Sequence, residues 1–225
     1  ERGLVMPDDF LPLLENHELA IRLDAWVIDK ALQHMENWQS RGLELQISIN
    51  ITARSLQTDD FVLQLYYAFE RYPATKPAYF ELEILETQAL SDLTLTSQVI
   101  KDCQSLGVQF ALDDFGTGYS SLSYLKHLSV ETLKIDQTFV RDMLEDDDDL
   151  AIVQGVIGLA ESFRRQVIAE GVESIAHGIA LLQMGCRHGQ GYGIAKPMPA
   201  SELAAWIKEW KAPAEWKISD PYQEH

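Results

Sequence analysis

The sequence has no apolar run long enough to cross a bilayer, and its first residues, "ERGLVMPDDF", carry neither the basic start nor the apolar block of a secretory signal. Cysteine is scarce. Cys103 and Cys186 stand alone, with no CxxC spacing, which excludes a disulfide framework and reads as two reduced thiols in a cytoplasmic protein. The six histidines (His17, His34, His127, His177, His188 and His225) form no HxxxH or HxH pair, so a zinc site is excluded on ligand grounds. Positive charge is short as well: 18 Lys and Arg face 35 Asp and Glu, a formal net charge of −17. A nucleic-acid polymer needs clustered basic side chains to release counterions, so that class of partner is excluded too. A small phosphate ligand is not excluded, because metal ions can meet its charge.

What is present is an apolar content of 46% over 225 residues, enough for one compact core. Short apolar runs alternate with amphipathic segments. The predicted strands are "LELQISINI", "AYFELEIL", "VQFALDDF", "VETLKID", "RQVIAEGV" and "CRHGQGYG". Among the predicted helices, "DDLAIVQGVIGLAESF" repeats Ile152, Val153, Val156, Ile157, Ala160 and Phe163 at helical spacing. In "SDLTLTSQVIKDCQSLG", Leu95, Val99, Cys103 and Leu106 form the expected apolar stripe, with Ser91 or Asp92 as cap and Gly107 as stop. Strand–helix alternation of this kind implies parallel strands with helical crossovers, either an open doubly wound sheet or a closed barrel. Two helical patterns, "PDDFLPLLENHEL" and "RLDAWVIDKALQHMENWQ", precede the first strand, which suggests that the natural protein continues upstream. The acidic run at Glu145–Asp149 reads as a solvated loop that complements the N-terminal dipole of the next helix rather than as a cation site. From Pro213 the alternation is lost, so residues 1–212 read as the domain and 213–225 as a tail.

The polar residues at the ends of these strands carry the chemistry. In chain order they are Asn50; Glu83 and Glu86; Asp113 and Asp114; Lys134 and Asp136; Glu170 and Glu173; and Gln190. Parallel α/β folds gather their strand C-termini on the ligand-binding face. Carboxylates and an amide oxygen are hard ligands suited to Mg²⁺ or Mn²⁺. Adjacent Asp113 and Asp114 repel each other unless a cation lies between them, and two ions of this kind commonly serve phosphodiester cleavage. The "GTGYSS" loop that follows resembles a dinucleotide fingerprint, but its third glycine is Ser121, and two carboxylates just before it would repel a pyrophosphate.

The segments "SINITARSL", "ELEILET", "LDDFGTGYSSLSYLK", "LKID", "AEGVE", "GQGY" and "KPMP" together closely resemble the EAL-domain cyclic di-GMP phosphodiesterases, in the family's order from about Glu1 to Trp210. The resemblance implies a modified TIM-type (β/α)₈ barrel that binds cyclic di-GMP over two Mg²⁺ or Mn²⁺ ions and hydrolyses it to linear pGpG in bacterial signalling. It implies Asn50, Glu83, Asp113, Asp114 and Glu170 as metal ligands, and Lys134 beside the attacking water. By the same resemblance Glu86 anchors the "DDFGTGYSS" loop, Asp136 and Glu173 support the site, and Gln190 helps place water and substrate. It further implies a homodimer, and sensory or diguanylate cyclase domains elsewhere in a longer protein, with a membrane anchor there left open. The rival expectation is a non-catalytic cyclic di-GMP receptor. Two departures stand out. The match begins downstream of the Glu-Ala-Leu motif that names the family, so its glutamate, the neighbouring arginine and the first two strands are absent from this sequence, and the expectation is catalysis in the longer protein with little activity in this chain alone. The usual Thr of "ELEILET" is Leu85.

Overall fold

The computed structural model describes residues 7–14, 17–118 and 122–217. Residues 119–121 of the "GTGYSS" loop and 218–225 of the tail lie outside the described residues. Two helices come first, α1 (Pro7–Leu14) and α2 (Leu19–Gln39), and then β1 (Ile47–Asn50), α3 (Ala53–Leu56) and α4 (Phe61–Arg71). Next come β2 (Phe80–Leu85), α5 (Glu86–Ala89), α6 (Leu93–Ser105), β3 (Gln109–Phe115), α7 (Leu122–Leu125), β4 (Thr132–Ile135) and α8 (Gln137–Asp142). The order closes with α9 (Asp147–Ser162), β5 (Gln166–Glu170), α10 (Ile175–Gln183), β6 (His188–Gln190), α11 (Ala200–Glu209) and a 3-10 turn at Ala214–Trp216. All six predicted strands form, in chain order within one sheet.

The chain divides into two compact units. The first holds residues 1–111 and 121–130, the second 112–120 and 131–225. In the first, β1 pairs with β2 in parallel, which sets Ser48 opposite Glu81 and Asn50 opposite Glu83. The alternation in "FELEIL" sends Phe80, Leu82 and Ile84 to one face, each at most 1% exposed, and Glu81 and Glu83 to the other. Phe80 meets Phe69 of α4 edge-to-face, with ring centroids 5.5 Å apart. Helix α6 is capped by Asp92, whose side chain accepts from the Leu95 backbone N–H, and Gly107 at φ +93° follows its end. Its apolar stripe is rotated from the expected one. Thr96, Val99, Ile100 and Cys103 are buried, whereas Leu95 is exposed. The side chain that closes the stripe is the β-branched Thr96, which an apolar-only count passes over.

In the second unit, β5 pairs in parallel with β4 on one side and β6 on the other, placing Glu170 opposite Gln190. Helix α9 buries Val153, Val156, Ile157 and Ala160, close to the expected stripe. Its acidic start is a cap: Asp146 accepts from the N–H groups of Asp148 and Asp149, while Asp147–Asp149 occupy the first turn. Trp216 lies against α10. Its indole N–H donates to the Ile175 carbonyl at 3.0 Å, and a Cβ at Gly178 would fall 2.3 Å from its ring. Both cysteines are buried free thiols.

Candidate active site

In the second unit the end of β3 leaves regular strand geometry. Asp114 has φ +52° and Gly116 φ +104°, and a left-handed residue interrupts the two-residue alternation of a strand. Asp113 and Asp114, which an unbroken strand would send to opposite faces, therefore reach the same side. Carboxylate oxygens of Asp113, Asp114 and Glu170 lie within 4.8 Å of one another. Asp is among the few non-glycine residues that tolerate this backbone, and holding it there costs ~1–3 kcal/mol, a strain characteristic of functional sites.

Lys134, at the end of β4 and 4% exposed, stands among these acids. Its Nζ lies 3.0 Å from Asp113 Oδ1 and 2.6 Å from Glu170 Oε1. One ammonium does not neutralise three carboxylates. Burial, a hydrogen bond with Asp136, and the charges of Asp113, Asp136 and Glu170 push the Asp114 carboxyl up to about 7. Burial also raises Glu170, against the lowering by Lys134. Asp136 caps α8, accepting from the Thr138 N–H at 2.8 Å and from its hydroxyl. The cluster is thus short of positive charge and built of hard oxygen donors, and it fits a divalent cation.

A pocket of about 300 Å³ opens beside Glu170, lined also by Glu173, Gln190, Arg141, Tyr192 and Lys196. Glu173 is exposed and pairs with Arg141, Oε1 to Nε at 2.8 Å. Gln190 is exposed on β6, and its carbonyl accepts from the Val172 N–H.

The first unit carries the remaining predicted residues. Asn50, exposed, and Glu83, 6% exposed, are cross-strand neighbours at the C-terminal ends of β1 and β2. Glu86 opens α5 fully buried and accepts from the Tyr124 hydroxyl. Tyr124 belongs to α7, which follows the loop in the chain. Sequence reasoning missed Asp24. Buried on α2, it accepts from the Thr52 N–H (3.0 Å), the Thr52 hydroxyl (2.6 Å) and the Ser55 hydroxyl (2.6 Å), fixing the segment after β1. No local signal marks it, because its partners lie about 30 residues away. Arg141, whose partner Glu173 is likewise distant in the chain, was missed for the same reason.

The model of the EAL domain matches residues 1–197. The chain belongs to the EAL domain family. It is 35% identical over 208 residues to the bifunctional diguanylate cyclase/cyclic di-GMP phosphodiesterase MucR of Pseudomonas aeruginosa, covering 92% of this chain and 30% of that protein. It is also 35% identical over 215 residues to the cyclic di-GMP phosphodiesterase PdeR of Escherichia coli, covering 93% of this chain and 32% of the relative. The chain therefore spans about a third of the length of these curated relatives. Among solved structures, the PaMucR phosphodiesterase in complex with c-di-GMP superposes with a TM-score of 0.86 at 35% identity, over 90% of this chain and 82% of that one. The EAL domain of Mycobacterium smegmatis DcpA gives 0.82 at 36% identity, over 87% and 88%. The six strands with their helices are thus those of the modified TIM-type barrel of EAL domains, as the motifs led one to expect.

Proposed function

We propose that this EAL domain hydrolyses cyclic di-GMP to linear pGpG on two divalent ions. The observation that carries the reading is the cluster of Asp113, Asp114 and Glu170 around Lys134, in a chain similar to named cyclic di-GMP phosphodiesterases. Asp113, Asp114 and Glu170 are the proposed oxygen ligands, and Asn50 and Glu83 are kept as further ligands on the strength of their motifs. Bound there, Mg²⁺ or Mn²⁺ supplies Lewis acidity to a phosphodiester and makes water more acidic.

The chain's own residues hold and orient. Lys134 holds Asp113 and Glu170 in place by its two short ion pairs, and its charge opposes the rise that burial imposes on Glu170. It also presents a donor beside the position of an attacking water. Asp136, at the start of α8, stands beside Asp114 and helps to raise its carboxyl. Gln190, in register with Glu170, offers an amide to water or substrate. In the reaction, a water oxygen bonds to phosphorus while the bond from phosphorus to the ribose 3′ oxygen breaks. One water proton is lost to base, and the departing 3′ oxygen gains one, leaving a 5′ phosphate on pGpG.

The test is metal-dependent conversion of cyclic di-GMP by this chain and by a longer protein that contains it. Production of pGpG that stops on chelation supports the reading. Binding of cyclic di-GMP without turnover in both overturns it in favour of a receptor.

A further inference from the structure

His177 lies where α10 begins, 7% exposed, and none of the roles above uses it. Its Nδ1 is 3.3 Å from the Glu173 backbone nitrogen, and its Nε2 is 3.2 Å from the Arg141 carbonyl oxygen. A backbone N–H only donates, so Nδ1 accepts; Nε2 then carries the proton and donates to Arg141. One buried ring thereby joins the backbones of the two residues whose side chains pair at the pocket wall. That pair is 42% and 45% exposed, and an ion pair so open contributes only ~0–1 kcal/mol and does not hold its own geometry. The ring beneath it can.

The same loop grips the other end of α8. Gly171, at φ +76°, comes so close to Gln137 that an added Cβ would lie 2.9 Å from the Gln137 Cβ and 3.0 Å from its carbonyl oxygen. Helix α8 is therefore pinned to the segment after β5 at both ends, by contact at Gln137 and by the imidazole at Arg141. The residue that caps this helix is Asp136, whose carboxyl lies near enough to Asp114 to help raise it.

We propose that His177 is a positioning residue: it sets the Glu173–Arg141 pair on the wall of the pocket beside Glu170 and holds α8 in the place from which Asp136 meets Asp114. As a contribution to turnover this rests on the phosphodiesterase reading; as a statement about geometry it does not. The test uses the whole chain with two substitutions. His177→Phe keeps a ring but removes both hydrogen bonds. His177→Asn keeps an acceptor near the Nδ1 position for Glu173 and loses the link to Arg141.

Loss of an outer partner of this kind lowers activity by roughly 10–100-fold. For His177→Phe that loss is expected in kcat, with KM for cyclic di-GMP and Mn²⁺ affinity near those of the unmodified chain. His177→Asn is expected to recover part of it. In parallel, NMR follows solvent exchange of the Arg141 Nε–H, the donor of the ion pair. Protection should fall in both variants, further in His177→Phe. An Arg141 signal as protected as in the unmodified chain, or an unchanged kcat in His177→Phe, overturns the proposal. If the unmodified chain shows no turnover, the phosphodiesterase reading fails by itself and the exchange measurement still decides the position of the pair. If His177→Phe does not fold, unchanged Arg141 protection in His177→Asn is the overturning result.

Discussion

Replacing Lys134 by Met keeps most of the buried stem and removes the only charge that the described contacts set between Asp113 and Glu170. Both carboxylates are largely covered, so solvent screens the loss poorly. Removing one partner of a buried ion pair costs ~3–5 kcal/mol. In a chain of this size each kcal/mol moves Tm by ~2–4 °C, so a fall of about 6–20 °C is expected near neutral pH without divalent ions. The pH dependence has a definite sign. Burial already holds Glu170 above its ordinary value, with Lys134 opposing, so the substitution raises it further. A raised carboxyl contributes stability that is present in acid, below the unfolded value, and lost as pH rises through the folded one. The deficit of Lys134→Met should therefore be small at about pH 4 and grow as pH climbs through the range where Glu170 and Asp114, at about 7, ionise. Thermal melts of both proteins across this range, with chelator and with Mn²⁺, check it. Mn²⁺ should shrink the deficit by supplying the missing charge. A deficit of equal size at every pH, unmoved by Mn²⁺, would refute both the electrostatic account of Lys134 and the reading of the acids as a cation site.

Asp113→Asn should abolish metal-dependent turnover of cyclic di-GMP; rates near normal would remove Asp113 from the site. Tyr124→Phe deletes a buried hydrogen bond to a carboxylate and should cost ~1.5–3 kcal/mol, read as a lower Tm with reduced turnover. Glu86→Ala should reduce turnover at least as much, and an unchanged rate would dismiss the anchor. Burial pushes the Cys103 thiol up to about 12 and raises Cys186, so both should resist alkylation at pH 8 in the folded chain and react once it unfolds. Rapid labelling of the native protein would contradict the packing around them.

How much of this was legible in the sequence depended on the range of the interaction. The strands "FELEIL" and "QFALDDF", the cap at Asp92 and the acidic start of α9 are local, because alternation and capping act over a few residues and leave a pattern in the chain. The acids at the strand ends were visible for the same reason: parallel pairing brings strand C-termini to one edge, so Asn50 meets Glu83, and Glu170 meets Gln190. The stripe of α6 held at Val99 and Cys103 and failed at Leu95, whose buried place is taken by its neighbour Thr96, a residue that composition counts as polar.

Only the tertiary structure decided which partners these residues take. Nothing local announces that Asp114 adopts φ +52° and so joins Asp113 on one side, because backbone strain is paid for by contacts made elsewhere. The lysine between Asp113 and Glu170 comes from a third strand, and the two acids flank it only once β3, β4 and β5 have assembled. Asp24 finds its hydroxyls about 30 residues away, and His177 reaches back 36 residues to Arg141. The sequence determined the elements and the chemical character of their ends, through forces that act along the chain. Folding decided the charge balance of the site and the tether of α8, because both depend on distances between segments that the chain order does not contain.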